Sequence, residues 1–244
     1  MVACQEVGTD HEKLNAKEPN MKKQKLITIT YFFGLALFIA MAGGCGGSGS
    51  SSGDNEAVTS GELTFAAAPV LDPAPATLPQ QNGMNICEDY RFGGRDIENL
   101  EVPDGKRCVL EPGVSVDGNV ELGSNSEFYG DDVFIGGNLQ GQRTCKVFLS
   151  NSVVGGSIQP ELGGEVTIIS NNVTGDIQLV QNRGALFVRD NVVNADIQIF
   201  GNSGGASING NQVDGNLQCK ENIPAPTGSG NIVQGNKEDQ CSNF

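Results

Sequence analysis

The chain has 244 residues, enough for one or two domains, and Gly supplies 34 of them while Trp is absent and aromatic residues make up 6%. That composition argues against a compact helical enzyme and for turn-rich β structure or disorder. The one histidine, His11, stands in a stretch not expected in the mature protein, which removes His-based acid–base, nucleophilic and zinc chemistry, and a net charge of −14 makes a nucleic-acid backbone a poor partner.

Residues 1–20 are polar and fit no signal peptide, whereas Met21 begins a normal one. The expected start of translation is therefore Met21, with 1–20 an extension that is not translated. Lys22, Lys23 and Lys25 precede an uncharged apolar run over 26–42, and the run ends in Ala42-Gly43-Gly44-Cys45. A basic start, a short apolar middle and small residues before a cut site predict a secretory signal over 21–44. The run is short for a membrane-spanning helix, and a Gly/Ser stretch over 46–53 follows it in place of a basic stop-transfer flank.

The sequence Ala42-Gly43-Gly44-Cys45 resembles a bacterial lipoprotein box, with Ala42 where that family usually has Leu. The resemblance implies that Cys45 is the lipidated first residue of the mature chain. Gly46 after it, rather than Asp, implies delivery to an outer membrane.

Residues 45–84 read as a lipidated Cys followed by a disordered tether, rich in Gly and Ser and then in Pro. A flexible chain of about 37 residues has an end-to-end distance of roughly 35 Å, so a folded body would sit just off the lipid surface.

Beyond the tether the sequence is periodic. Small residues recur at Gly118, Gly137, Gly156, Gly175, Ala195, Gly215 and Gly235, in steps of 19 and then 20. Two positions before them stand Val116, Ile135, Val154, Val173, Val193, Val213 and Val233; two after stand Val120, Leu139, Ile158, Ile177, Ile197 and Leu217, until Lys237 breaks the column. Glu121 and then Gln140, Gln159, Gln178, Gln198 and Gln218 come next. Apolar, β-branched residues at spacings of 2 and 4 have the local period of strands. One circuit of short strands per repeat predicts an all-β parallel solenoid of about seven coils over 114–244. At about 4.8 Å per coil it is roughly 34 Å long. The small column is expected at a corner where Gly takes positive φ. Asn171, Asn191, Asn211 and Asn231 form one polar column and Asn125, Asn182, Asn202 and Asn222 another; both are expected to stack at corners for structural reasons.

Both ends carry closing devices. Cys219 and Cys241 are about one coil apart, and Lys237 with the charged residues after it marks the end of the core. Cys87 and Cys108 are expected to bridge a small N-terminal cap over 85–113, and export makes such disulfides plausible. Cys145 is left over, expected to be free, as a buried small side chain, a reactive thiol or a link between chains.

The region from Asn85 to Cys241 resembles a group of exported bacterial β-helix proteins of unknown function, which share the pattern Gly215-Asn216-Leu217-Gln218-Cys219-Lys220-Glu221-Asn222 followed by Gly235-Asn236-Lys237-Glu238-Asp239-Gln240-Cys241. It is more distantly similar to bactofilins and to pectin-lyase-like β-helices. The resemblance implies a right-handed winding and supplies no activity.

Asp176 and Asp196 occupy one position in successive repeats, and stacking at about 4.8 Å would suit a weak Ca²⁺ site or a carboxylate pair. Asp190, with Arg183 and Arg189 and flanked in sequence by Phe187 and Phe200, is the other acidic candidate. Asn or Ser at the Asp176 position of other repeats marks a polar turn column instead. The expected function is that of a non-catalytic, lipid-anchored envelope rod, without cofactor, that binds polysaccharide or protein or plays a structural part. The alternatives are a polysaccharide-active enzyme with Asp176, Asp190 and Asp196 as its acids, and a bactofilin-like self-assembling scaffold.

Overall fold

The structure, a computed structural model, describes residues 68–244; the extension 1–20, the signal peptide and Cys45 lie outside the described residues. The described chain is a parallel β-solenoid of about eight coils, without helix, in which each coil gives one short strand to each of three sheets. One coil, for example, contributes Glu165–Ile169 to a nine-stranded sheet, Asn172–Val173 to an eight-stranded sheet and Ile177–Val180 to a ten-stranded sheet.

The side-chain alternation of the strands sets the core. Val166 and Ile168 point inward from the first sheet, Val173 from the second, and Ile177 and Leu179 from the third, all fully buried. Both aliphatic columns read from the repeat are interior stacks: Val116, Ile135, Val154, Val173, Val193 and Val213 in one, Val120, Leu139, Ile158, Ile177, Ile197 and Leu217 in the other. Their registers are direct, Val154 pairing with Val173 and Ile158 with Ile177. The step changes from 19 to 20 at one corner: Glu161 pairs with Val180, but Val166 pairs with Leu186, so the turn before Leu186 absorbs the extra residue.

The small column follows a different rule from the expected one. None of Gly118, Gly137, Gly156, Gly175, Gly215 and Gly235 has positive φ. A Cβ on Gly137 would run into Asn119 Oδ1 and lie 2.8 Å from Gly118 O, and the other coils repeat this close approach. From Gly137 on, each glycine donates its N–H to the small residue one coil earlier, as Gly156 does to Gly137 O at 2.9 Å, whereas Gly118 donates to Glu98 O. The pair Gly175 and Ala195, where the later residue carries a Cβ, lacks that bond. Positive φ belongs instead to the residues just before the inward Asn columns: Ser170, Asp190 and Gly210 at one corner, Leu162, Gln181 and Gly201 at another.

Segment 85–113, expected as a cap, is closed by the Cys87–Cys108 disulfide and is itself a coil of the solenoid. Tyr90–Phe92, Asp96–Ile97 and Leu100–Val102 pair in register with Arg107–Leu110, Ser115–Val116 and Val120–Leu122. Ile97 and Leu100 are separated by two residues where Val116 and Val120 are separated by three, so the corner glycine is missing and the repeat is hidden. The cover over this coil comes from residues 72–84, part of the segment expected as tether. Gln80–Gln81 folds antiparallel onto Met84–Ile86 through Asn82-Gly83, both at positive φ, a hairpin turn that fits strand twist. Leu78 is buried beneath it, and Asp72–Pro73 lies along the edge of the nine-stranded sheet, where Pro73 offers no donor. Arg95 stacks 4.7 Å over the Phe92 ring and donates to Pro75 O and Ala76 O.

At the other end, Lys237–Asp239 is the last strand of the ten-stranded sheet. Lys237 Nζ turns from the interior column to donate to Asn231 O at 2.8 Å and to Phe244 O. The Cys219–Cys241 disulfide is present and fully buried.

Candidate functional site

The polar residues that the repeat places at corners are built into three ladders along the coils. At the corner between the eight- and ten-stranded sheets stand Asn99, Asn119, Asn138, Ser157, Asp176, Asp196, Asn216 and Asn236. Each side-chain oxygen accepts the backbone N–H of the same position one coil later, at 2.6–3.0 Å, without a break. Asp176 Oδ1 takes the Asp196 N–H, and Asp196 Oδ1 takes the N–H and side-chain amide of Asn216. The two acids are thus stacked as the repeat implied, and each has one carboxylate oxygen committed to the next coil.

The Asn171 column runs the opposite way. Ser152, Asn171, Asn191 and Asn211 each donate a backbone N–H to the Asn Oδ1 of the following coil, and the Nδ2 groups of Asn171, Asn191, Asn211 and Asn231 bond the carbonyls of Leu149, Ile168, Val188 and Ile208. Asn182, Asn202 and Asn222 make the second such column, which Gln240 closes by accepting the Asn222 N–H. Asn125 does not join it. It is exposed at φ 58°, and Ser126 is the buried polar residue of that turn, because the left-handed residue here stands one place later than Arg143 does in the next coil.

Asp190 is exposed at positive φ at the corner between the nine- and eight-stranded sheets, away in the coil from the Asp176 corner. Phe187 and Phe200, its sequence neighbours, lie on strands of different sheets. The three acids of the enzyme reading are therefore not brought to one corner. Among the described residues no group of three or more His, Cys, Asp or Glu is placed to hold a metal ion. Cys145 is half-buried and disulfide-bonded, a correction to the expected free thiol; the repeat spacing offers it no partner one coil away, which is why it was left over.

Repeat reading named the outward Gln column but not the groove beside it. Gln159, Gln178, Gln198 and Gln218 are linked by side-chain hydrogen bonds of 2.5–3.1 Å, each Nε2 donating to the Oε1 one coil later, and Gln218 Nε2 donates to Glu238 Oε2 at 2.8 Å. Among the described residues, Gln140 makes no such bond to Gln159, and a groove of about 310 Å³ opens there. Glu121, Gln140, Gln142, Gln159 and Glu161 line it, offering amides and carboxylates to a hydroxyl-rich or cationic ligand.

The outer face of the nine-stranded sheet is different. Arg107 pairs with Glu127 at 3.2 Å and Lys146 with Glu165 at 2.8 Å, one coil apart in each case. Tyr129 donates its hydroxyl to Glu127 Oε2, and burial first, then the neighbouring Glu127 charge, pushes its phenol well above the ordinary tyrosine range.

The chain matches no protein-family model, no curated protein and no solved structure. The fold and the groove therefore carry the functional argument.

Proposed function

We propose that the protein is a non-catalytic, lipid-anchored rod of a bacterial cell envelope that binds a hydroxyl-rich polymer or a protein along its polar faces. The observation that carries this reading is the commitment of corner side chains to the coils above and below, which makes a stiff body with no hinge between coils. Asp176 and Asp196, the acids an enzyme reading would use, serve in that framework. The resemblance of Ala42-Gly43-Gly44-Cys45 to a lipoprotein box supplies the anchor and the outer membrane as its address. The groove at Glu121 and Glu161, continuous with the amide ladder, is the place of contact. Residues 45–244 hold 10 Lys+Arg against 25 Asp+Glu, and that net charge of −15 keeps such a rod apart from anionic lipid.

Two measurements test this. Labelled fatty acid should enter the exported chain and be lost in Cys45→Ala; incorporation that survives the substitution overturns the anchor. The double variant Asp176→Asn with Asp196→Asn keeps the ladder chemistry used by other coils. It should leave both stability and the behaviour of the protein towards acidic polysaccharides unchanged, and loss of a hydrolytic or lyase activity would favour the enzyme.

A further inference from the structure

We propose that the outer face of the ten-stranded sheet binds a polysaccharide bearing free amino groups, seated in the groove at Glu121 and Glu161 and running along the rod onto Phe200. This rests on the reading of that groove as the place of contact and adds the chemical class of the ligand. Strand register sets two outward rows on the face. One runs from Glu121 through Gln140 and Gln159 into the amide ladder; the other is Gln142, Glu161, Val180 and Phe200.

The amide ladder has a direction. Gln159 Nε2 donates to Gln178 Oε1, and each later amide donates the same way, so the open end at the groove is an acceptor, Gln159 Oε1. Aligned amides polarise one another, which strengthens that terminal oxygen. Glu121 and Glu161 stand on either side of it, two coils or about 10 Å apart, and among the described residues neither carboxylate has an ion-pair partner. Arg143 follows Gln142 at an exposed turn and pairs with neither. These three acceptors require donors from the ligand, and two of them are charged, which repels an acidic polymer and favours an ammonium group. Gln140 and Gln142 hold whole amides ready, each with donors and an acceptor. Such amides need a partner that both gives and takes hydrogen bonds, as a hydroxyl does and an ammonium alone does not. An amino sugar carries both groups on one ring. A peptide would dock by adding a strand, and that mode is closed here because Leu139–Gln142 is paired on both sides.

Phe200 is an independent sign of a saccharide. Burial alternates along Ile197–Phe200, with Ile197 and Ile199 inward and Phe200 half-buried on the outer face. Phe200 lies in the row of Glu161, two coils or about 10 Å farther along, with Val180 between them. The negative face of an aromatic ring attracts the C–H side of a sugar. A chain of several sugar rings laid along the rod therefore meets carboxylates and amides at one end and an aromatic ring at the other.

Calorimetric titration of the full chain carrying Cys45→Ser tests this without dependence on acylation. The probes are a glucosamine hexamer, its N-acetylated counterpart, a galacturonate hexamer and a lysine hexapeptide. The glucosamine hexamer should bind about tenfold more tightly than the acetylated one, a preference that two half-exposed ion pairs can supply, and the galacturonate hexamer should not bind. Glu121→Gln with Glu161→Gln should remove that preference, and Phe200→Ala should weaken both glucosamine oligomers several-fold. Asp132→Asn with Asp190→Asn removes the same charge from exposed residues at another corner and should leave the affinity unchanged. An equal loss in that control overturns the proposal, as does a lysine hexapeptide that binds as tightly as the glucosamine hexamer. Equal binding of the two glucosamine oligomers, still weakened by Phe200→Ala, overturns the amino-group assignment while the groove stands as a contact for hydroxyl-rich polymers. Binding of no saccharide overturns both.

Discussion

At the residue scale, the solenoid rests on side chains that replace backbone partners at its corners. A corner leaves amide and carbonyl groups that no sheet satisfies, and in a dry interior each orphan costs about 1–3 kcal/mol. Asn meets both needs at once, its Oδ1 accepting an N–H and its Nδ2 donating to a carbonyl. Asn191→Ala would strand the Asn171 N–H and the Ile168 carbonyl, so equilibrium denaturation should show a loss of about 4 kcal/mol. Tyr129 gives a pH signature. Its phenol titrates later in the folded than in the unfolded protein, so the folded state holds the proton more tightly and stability falls as pH rises above about 10. Ultraviolet titration should show a late-ionising tyrosine that Tyr129→Phe removes.

At the scale of elements, the ends differ from the middle because they have no further coil to pair with. The last strand is polar where earlier ones are apolar, and it and the residue after it terminate the columns: Lys237 the interior column, Glu238 the Gln ladder, Gln240 the Asn ladder. The Cys219–Cys241 disulfide holds this strand to the coil before it. Opening a loop of that size by Cys219→Ser with Cys241→Ser should cost about 3 kcal/mol, and hydrogen exchange should show the loss concentrated in the last coil. Most of this end was legible in the sequence, because Lys, Glu and Gln replace the column residues in register. The beginning was less so. Deletion of one residue between Ile97 and Leu100 hid a whole coil, since a repeat is seen through its spacing while a coil needs only that its strands pair. Residues 72–84 were hidden for another reason: a hairpin that covers one edge has no repeat at all.

At the scale of the whole molecule, a parallel solenoid must keep its open edges from pairing with other copies. Here an antiparallel hairpin covers one end, and a charged strand with a disulfide closes the other. A chain lacking residues 72–81 should expose strand edges of the first coil. Sedimentation should then show concentration-dependent association that the intact chain does not show. Closed ends block the edge-to-edge pairing by which a self-assembling scaffold of such coils would grow.

The sequence alone determined the all-β solenoid, the identity of the interior columns and the pairing of Cys87 with Cys108 and of Cys219 with Cys241. It could do so because stacking like on like writes the same residue types at a constant step. Only the tertiary structure decided why the corner column is glycine, where the chain turns left-handed, that Asp176 and Asp196 serve the framework, and that a groove opens at Gln140. Each of these depends on the distance between neighbouring coils and on which hydrogen bonds remain unclaimed, quantities that exist only once the coils are stacked.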